Sequence, residues 1–472
     1  MGIYGQDQWK LTNKVTLNLG LRWDYFNSYV PAQTAGFDGE TDGYFQNPPV
    51  NPWLGQRKYD PVYDAPSWKD IDPRLGVAYN LFGNGRTALK FTAGRYVAKL
   101  GTDDIAGNIA SPISRSVTNS FRGWGDANGN YVPDCDLGNF EANGECAAIG
   151  DQNFGKNNPN AVQIDPAVLT GYRKRDSNWD ITAEAQHQLA PNIGITGGYY
   201  YNSGGYFRYA FGSPFSSKVR ATDNLAVGPS DYTPYCITAP KDPQLPGGGG
   251  YQVCNLADIN GPKYGQVKNY VTLSEKYGTF TSRNDFVGVT IDARLPRSIR
   301  LNGGFDTGRS VRDRCFVVDS PQELLNCRVV TPFKGQTQYK ANGVVPIPLD
   351  FAFAFAWQNI SGPSYGADYA ASNAEISPSL GRPLSGGLST PAVAIPLVAP
   401  QTLFEDRITR LDLRLTKIFK YNRYRLQINV DAYNALNANS IRAVNSVYGA
   451  AWRTPLQILD PRLIQFGGQF SF

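Results

Sequence analysis

The connections along this 472-residue chain alternate between very short and very long. The short ones carry turn chemistry: Thr12-Asn13, Gly83-Asn84-Gly85, Pro191-Asn192, Pro296-Arg297-Ser298, Pro346 to Leu349 and Tyr421-Asn422. The long ones, roughly 29–69, 102–176, 211–281, 313–331, 363–404 and 439–460, are rich in Gly, Pro, Asn, Asp and Ser. Successive connections of an antiparallel meander fall at opposite ends. This alternation therefore puts every long loop at one end, which a soluble sandwich or propeller has no reason to do.

The segments between them alternate apolar and polar residues with the period of a β-strand. Val15, Leu17, Leu19, Leu21, Trp23 and Tyr25 share one face, as do Phe351, Phe353, Phe355 and Trp357. Val287, Val289 and Ile291, then Leu411, Leu413 and Leu415, then Leu426, Ile428 and Val430 repeat the pattern. The last stretch places Ile464, Phe466, Phe470 and Phe472 on one face, with Gly468 keeping phase. Each run is close to the ~10 residues that a tilted strand needs to cross a bilayer. The expected fold is all-β: a transmembrane antiparallel β-barrel with short periplasmic turns and long extracellular loops.

The expected strands are 2–11, 14–28, 70–82, 86–101, 177–190, 193–210, 282–295, 299–312, 333–345, 350–362, 405–420, 423–438 and 461–472. That makes about 13. Bacterial barrels have even strand numbers, so residues 1–472 are expected to be the C-terminal portion of a larger barrel, with a miscounted strand as the alternative. Met1 to Lys10 has no charged n-region followed by an apolar stretch and is not a signal peptide.

Bulk composition hides such a wall, because lipid-facing and lumen-facing residues average out. Mean hydropathy is −0.37, and no apolar run reaches the ~18 residues of a spanning helix. The net charge of +5 is small, with both signs interspersed, so no nucleic-acid partner is read from it.

Tyr4-Gly-Gln-Asp-Gln-Trp9 with Val15-Thr-Leu-Asn-Leu-Gly-Leu-Arg-Trp-Asp24 resembles a strand pair of TonB-dependent outer-membrane receptors. So do Asp72-Pro-Arg-Leu-Gly-Val-Ala-Tyr79 with Gly83-Asn-Gly-Arg-Thr-Ala-Leu89, and Leu426-Gln-Ile-Asn-Val-Asp-Ala-Tyr-Asn-Ala-Leu-Asn437 with terminal Phe472. The nearest group is the Oar-like receptors, which carry an N-terminal carboxypeptidase-regulatory-like β-domain. The resemblance implies a 22-stranded barrel, of which these are about the last 13 strands, without its plug domain, TonB box and first strands. It implies uptake or movement of a large or scarce extracellular ligand with TonB-supplied energy, and no catalysis. The implied partners are outer-membrane lipid, the receptor's own plug, TonB and the barrel-assembly machinery. Phe466, Phe470 and Phe472 would form the terminal aromatic strand that this machinery reads. A passive porin, or a structural, adhesin-like surface barrel, shares the same wall and stays open as the alternative.

Six cysteines fall as three local pairs, each inside one long loop: Cys135 and Cys146, Cys236 and Cys254, Cys315 and Cys327. Six allow 15 connectivities, and loop membership favours neighbours. Barrels cross the oxidising periplasm, so these are expected disulfides, each stabilising by roughly 2–4 kcal/mol. No pair has zinc-ligand spacing, and the only histidine is His187. Beside the first pair, Asp126, Asn128 and Asn130 recur every second residue and Asp134 follows. Alternating hard oxygens suit calcium, which is the one cofactor the sequence suggests. Against it, Gly129 stands at position 4 rather than 6, no Glu closes position 12, and an Asx-rich turn has the same composition.

Alternation puts His187 on the outward face with Trp179 and Ile181, away from any lumenal chemistry. Gly83-Asn-Gly85 follows no βα pattern and reads as a hairpin turn. Arg22, Asp24, Lys90, Asp180, Glu184, Asp292, Arg294, Arg300, Asp306, Arg410, Asp412, Arg414 and Asp431 fall on the lumen face. Singly they suit cross-strand ion pairing; as a set they suit docking of a plug. Tyr199-Tyr-Tyr201 and Trp23, Tyr25 and Phe26 are expected in interfacial girdles.

Overall fold

The computed structural model describes residues 1–35, 57–98, 116–117, 119–156, 158, 161–203 and 219–472. Thirteen strands follow one another in chain order across a single antiparallel meander. They are β1 (Gly2–Lys10), β2 (Val15–Asn27), β3 (Ser67–Asn80), β4 (Thr87–Val97), β5 (Ser177–Ala190), β6 (Ile193–Ser203) and β7 (Thr281–Leu295). Then come β8 (Ile299–Asp313), β9 (Gln338–Ile347), β10 (Phe351–Ile360), β11 (Ile408–Tyr421), β12 (Tyr424–Tyr433) and β13 (Leu463–Ser471). Expected strand ends 99–101 and 204–210 lie outside the described residues. β9 begins five residues later than expected, because Phe333–Gly335 forms a 3-10 turn instead.

Register carries one apolar face across the sheet. Ile3 stands opposite Trp23, Trp23 opposite Ile71, Leu17 opposite Val77, and Val77 opposite Phe91. Ile195 meets Ile291, Val289 meets Phe305, and Phe305 meets Tyr339. Phe355 meets Leu413, Leu415 meets Val430, and Val430 meets Phe466. A slip of one residue at any pair would turn the following strands inside out. Many of these side chains are exposed in the isolated chain, Leu21, Phe466 and Phe470 among them. A sheet with so continuous a bare apolar face is stable only against hydrocarbon.

The six short connections all lie at one end. Three of them place non-glycine residues in the left-handed region: Arg297 and Ser298 at φ 63° and 61°, Leu349 and Asp350 at φ 65° and 57°, and Asn422 at φ 51°. This is the backbone that a tight hairpin matching strand twist requires. Among the described residues no helix is long and apolar enough to cross a membrane, which says nothing of crossing by strands.

The packed interior lies in the long connections at the opposite end. Tyr235, Ile237, Ala239 and Leu256 from 204–280 pack with Ala367, Ile376, Leu380 and Ile395 from 361–407 and with Trp452 from 434–462. Ala221 and Phe280 pack with Phe316 and Val318, while Val30 and Ala65 pack with Ile164. Gly123 donates its amide to Ser389 Oγ at 2.8 Å, tying 98–176 to 361–407. All six long connections are thus joined into one cap.

Candidate functional site: lumenal wall and loop cap

The polar face of the sheet is the second consequence of alternation. Arg414 and Asp431 stand directly opposite on β11 and β12 and form an ion pair. Arg22 pairs with Asp24 at 2.7 Å, and Arg410 with Asp412 at 2.8 Å, each two residues apart on one strand. Asp180 accepts from Asn178 Nδ2 at 2.9 Å, and Asp292 accepts from Asn302 Nδ2. Lys90 faces Glu184 across β4 and β5, and Asp306 faces Gln338. Arg294 and Arg300 stand opposite one another, an arrangement that a solvated lumen tolerates and a dry core would not.

Two aromatics expected in the girdles belong to this wall instead. Tyr199 and Tyr201 do face outward, and Trp23 stacks on Tyr25 at 6.3 Å. Tyr200 has the opposite phase and donates to Glu184 at 2.9 Å. Its ring lies over Gly198, where a Cβ would stand 2.8 Å from Cζ, so a larger residue there would push the ring aside. Phe26 likewise turns inward and packs against Trp68 at 6.3 Å. Runs of adjacent aromatics must split between faces, because neighbours in a strand point opposite ways.

At the cap end of the wall lies a buried cluster that sequence reasoning missed. Asp70 accepts from Arg95 Nη2 and from Arg175 Nε, both at 3.1 Å, while Asp72 accepts from Arg95 Nη1 at 2.7 Å. Asp70 is 1% exposed, Asp72 3%, Arg95 7% and Arg175 8%. Trp68 beneath them is fully buried and donates Nε1–H to Val168 O at 2.8 Å. The first three residues of β3 also pair, in parallel, with Thr170–Tyr172. The 98–176 connection is thereby clamped onto the wall. Its signal was Asp70-Ile-Asp72, two carboxylates on the lumen phase of one strand, but their partners lie 23 to 105 residues away.

The cysteines form three bonds: Cys135–Cys146, Cys236–Cys254 and Cys315–Cys327. The second staples Tyr232–Thr238 to Gln252–Ile259, the hairpin that supplies Tyr235, Ile237 and Leu256 to the cap.

Asp126, Asn128, Asn130 and Asp134 do come together, but as a hydrogen-bonded turn. Asp126 accepts from the amides of Asn130 and Tyr131, both at 3.0 Å. Asn128 and Asn130 both direct their Nδ2 donors at Asp134 Oδ2. Glu145, across the disulfide, accepts from Ala127 N at 2.8 Å and Asp134 N at 3.1 Å. The oxygens read as calcium ligands accept from the loop's own amides, as in an Asx-rich turn, and a bound calcium would draw on the same oxygens. Among the described residues no three acidic, histidine or cysteine side chains converge as a metal site.

His187 is exposed on the outward face, its Nδ1 2.9 Å from Thr87 Oγ1 on β4.

Between two loops, Asp165 accepts from Thr272 Oγ1 at 2.6 Å, Lys276 Nζ at 2.7 Å and Ala167 N at 2.9 Å. The Lys276 ammonium, then the Thr272 hydroxyl, hold its carboxyl well below the usual carboxylate range. A depressed folded pKa gives stability that is present above the unfolded value of ~3.9 and lost as pH falls through the window below it. Asp165→Asn is therefore expected to cost about 1–2 kcal/mol at neutral pH. In thermal melts against pH, the gap to wild type should close on acidification below pH ~4.

Residues 1–211 match the family model of an outer membrane beta barrel domain. No curated protein matches the chain. Among solved structures it is similar to the ferric-catecholate import receptor Fiu of Escherichia coli K12, at 11% identity over 99% of this chain and 44% of that one, with a TM-score of 0.44. It is similar to the outer membrane transporter YddB of Escherichia coli, at 10% identity over 99% and 53%, with a TM-score of 0.45. It is similar also to FpvA of P. aeruginosa, at 8% identity over 99% and 37%, with a TM-score of 0.46. The chain spans about half the length of these structures, or less. The matched domain and the two-faced sheet place the protein in the outer membrane of a Gram-negative bacterium, as a β-barrel wall.

Proposed function

We propose that residues 1–472 are the C-terminal wall and extracellular cap of a TonB-dependent receptor of the Oar-like group, which moves a large or scarce ligand with energy supplied through TonB. The observation that carries this reading is the joining of all six long connections into one packed cap on a polar-lined wall. An open diffusion pore needs no such ordered head, whereas a receptor needs a preformed recognition surface. The plug, the TonB box and the strands that pair with β1 and β13 are supplied in this reading by polypeptide preceding Met1. The plug docks against the lumenal set around Arg22, Asp24, Arg410, Arg414 and Asp431. Phe466 and Phe470 on β13, with Phe472 directly after it, serve the assembly machinery. The alternative, a passive or adhesin-like barrel, shares the wall and lacks the plug.

Sequencing the gene upstream of Met1 and reconstituting its whole product in liposomes separates the two. A receptor carries a plug and TonB box and leaves the liposomes impermeable to small sugars until the plug is deleted. Free sugar flux through the intact product, with no plug encoded, would favour the passive barrel. In the same full-length protein, Phe470→Asp should abolish the heat-modifiable barrel on immunoblots of outer membranes. Normal accumulation would remove β13 from the assembly role.

A further inference from the structure

The short-turn end carries a charge bias that neither wall nor cap uses. Residues 10–14, 81–86, 190–192, 295–298, 347–350 and 417–425 hold eight Lys or Arg against one acid, Asp350. The whole chain holds 45 basic and 40 acidic residues, so the bias is local. Asp350 is itself taken by Lys420 at 3.0 Å. Lys14 and Arg86 are exposed, and neither has an acidic partner among the described residues.

Above the hairpin that carries Arg86, the apolar face is recessed. Ala183, Ala185 and Gly197 are too short to fill the space beside Val77, Leu89 and Phe91, leaving an open groove of about 510 Å³. Leu89 and Ala185 are directly opposite at its turn-ward end. The next pair on that face is Thr87 and His187, joined at 2.9 Å. Arg86 follows, three residues or ~10 Å from Leu89 by strand rise. Lys14 flanks the same mouth, its carbonyl accepting from Asn80 N at 2.8 Å.

We propose that this groove and the basic residues at its mouth form a site for an anionic glycerophospholipid, a proposal that rests on the membrane reading of the sheet. One acyl chain lies against Ala183, Ala185 and Gly197. The phosphate meets Arg86 and Lys14, with the His187 ring beside it. The apolar groove excludes free phosphate as the intended occupant. The absence of an available acid among these described turns leaves nothing to meet the ammonium of a zwitterionic headgroup, so the charge selects an anionic one. Cations on long stems at the membrane surface, with aromatic neighbours, suit this placement; elsewhere on the same short-turn end Lys417 lies 4.5 Å from the Phe351 ring centroid and 5.2 Å from that of Phe419.

Native mass spectrometry of the detergent-purified whole gene product tests this with phosphatidylglycerol and phosphatidylcholine of matched acyl chains. The expected result is a phosphatidylglycerol adduct favoured roughly fivefold, the preference falling as ionic strength rises. Arg86→Gln with Lys14→Gln should bring phosphatidylglycerol down to the phosphatidylcholine level. Ala185→Leu, which fills the groove, should weaken both lipids. Equal adducts in the wild type, or a preference untouched by the double variant, would overturn the site. Retention of both lipids in Ala185→Leu would overturn the groove as its acyl half. A chain that binds neither lipid nor a detergent belt would overturn the membrane reading itself, which separates the two failures.

Discussion

Asp70→Ala is expected to destabilise the protein by about 3–5 kcal/mol, because it leaves the buried Arg175 guanidinium without its carboxylate and takes one of two from Arg95. Arg95 would keep Asp72 at 2.7 Å, but Arg175 would lose the ion pair at its Nε. Neither side chain can reach water without opening the packing around Trp68, which is fully buried, or Phe26, whose ring centroid lies 5.9 Å from the Arg175 guanidinium. Asp72→Ala should cost less, since Arg95 retains Asp70 at 3.1 Å. The two losses should not add, because both carboxylates share one arginine. Urea unfolding of the detergent-solubilised variants measures this. An Asp70→Ala loss below ~1 kcal/mol would mean that water reaches the cluster and screens it. Limited proteolysis should show cleavage spreading into 161–176, since Arg175 and Thr170–Tyr172 anchor that segment to β3.

The strands were legible because their signal is local. A period of two needs only ten residues to declare itself, and β5, at 177–190, begins and ends where alternation does. The cysteine pairs were legible for the same reason, lying 11, 18 and 12 residues apart inside single loops. Phase decided the aromatics: Tyr200 and Phe26 follow the alternation of their strands, while a reading by composition groups them with their outward neighbours. The Asp70 cluster had no such signal. It gathers positions 70, 72, 95 and 175, and nothing in the spacing of Arg95 or Arg175 separates them from other loop-end arginines. The Asp126 turn shows the converse ambiguity. Alternating Asx residues are the composition of both an ion loop and an amide-capped turn, and Glu145, which completes the latter, lies across a disulfide. The cap was the least legible part, because its apolar residues are single ones scattered through Gly- and Pro-rich sequence.

That scattering makes the cap vulnerable at one point. The helix Asn373–Leu380 presents Ile376 and Leu380 on one face, both buried, at the spacing of one turn. Glu375 closes its start by accepting from Ser372 N at 2.8 Å, and Gly381 closes its end at φ 78°. Eight residues are too few for a helix to persist alone, so packing holds it. Ile376 is 0% exposed, among side chains drawn from three long connections. Ile376→Ala is therefore expected to cost about 2–5 kcal/mol, from lost burial plus the cavity left behind. The loss should appear in the cap alone, because no residue of the thirteen-stranded sheet belongs to that buried cluster. Hydrogen exchange should speed up together at Ile237, Leu256 and Ile395, from two different connections, while amides in β5 to β8 keep their protection. Exchange rising only around 373–381 would mean that the connections fold independently. The cap would then lose the shared rigidity on which a preformed recognition surface depends.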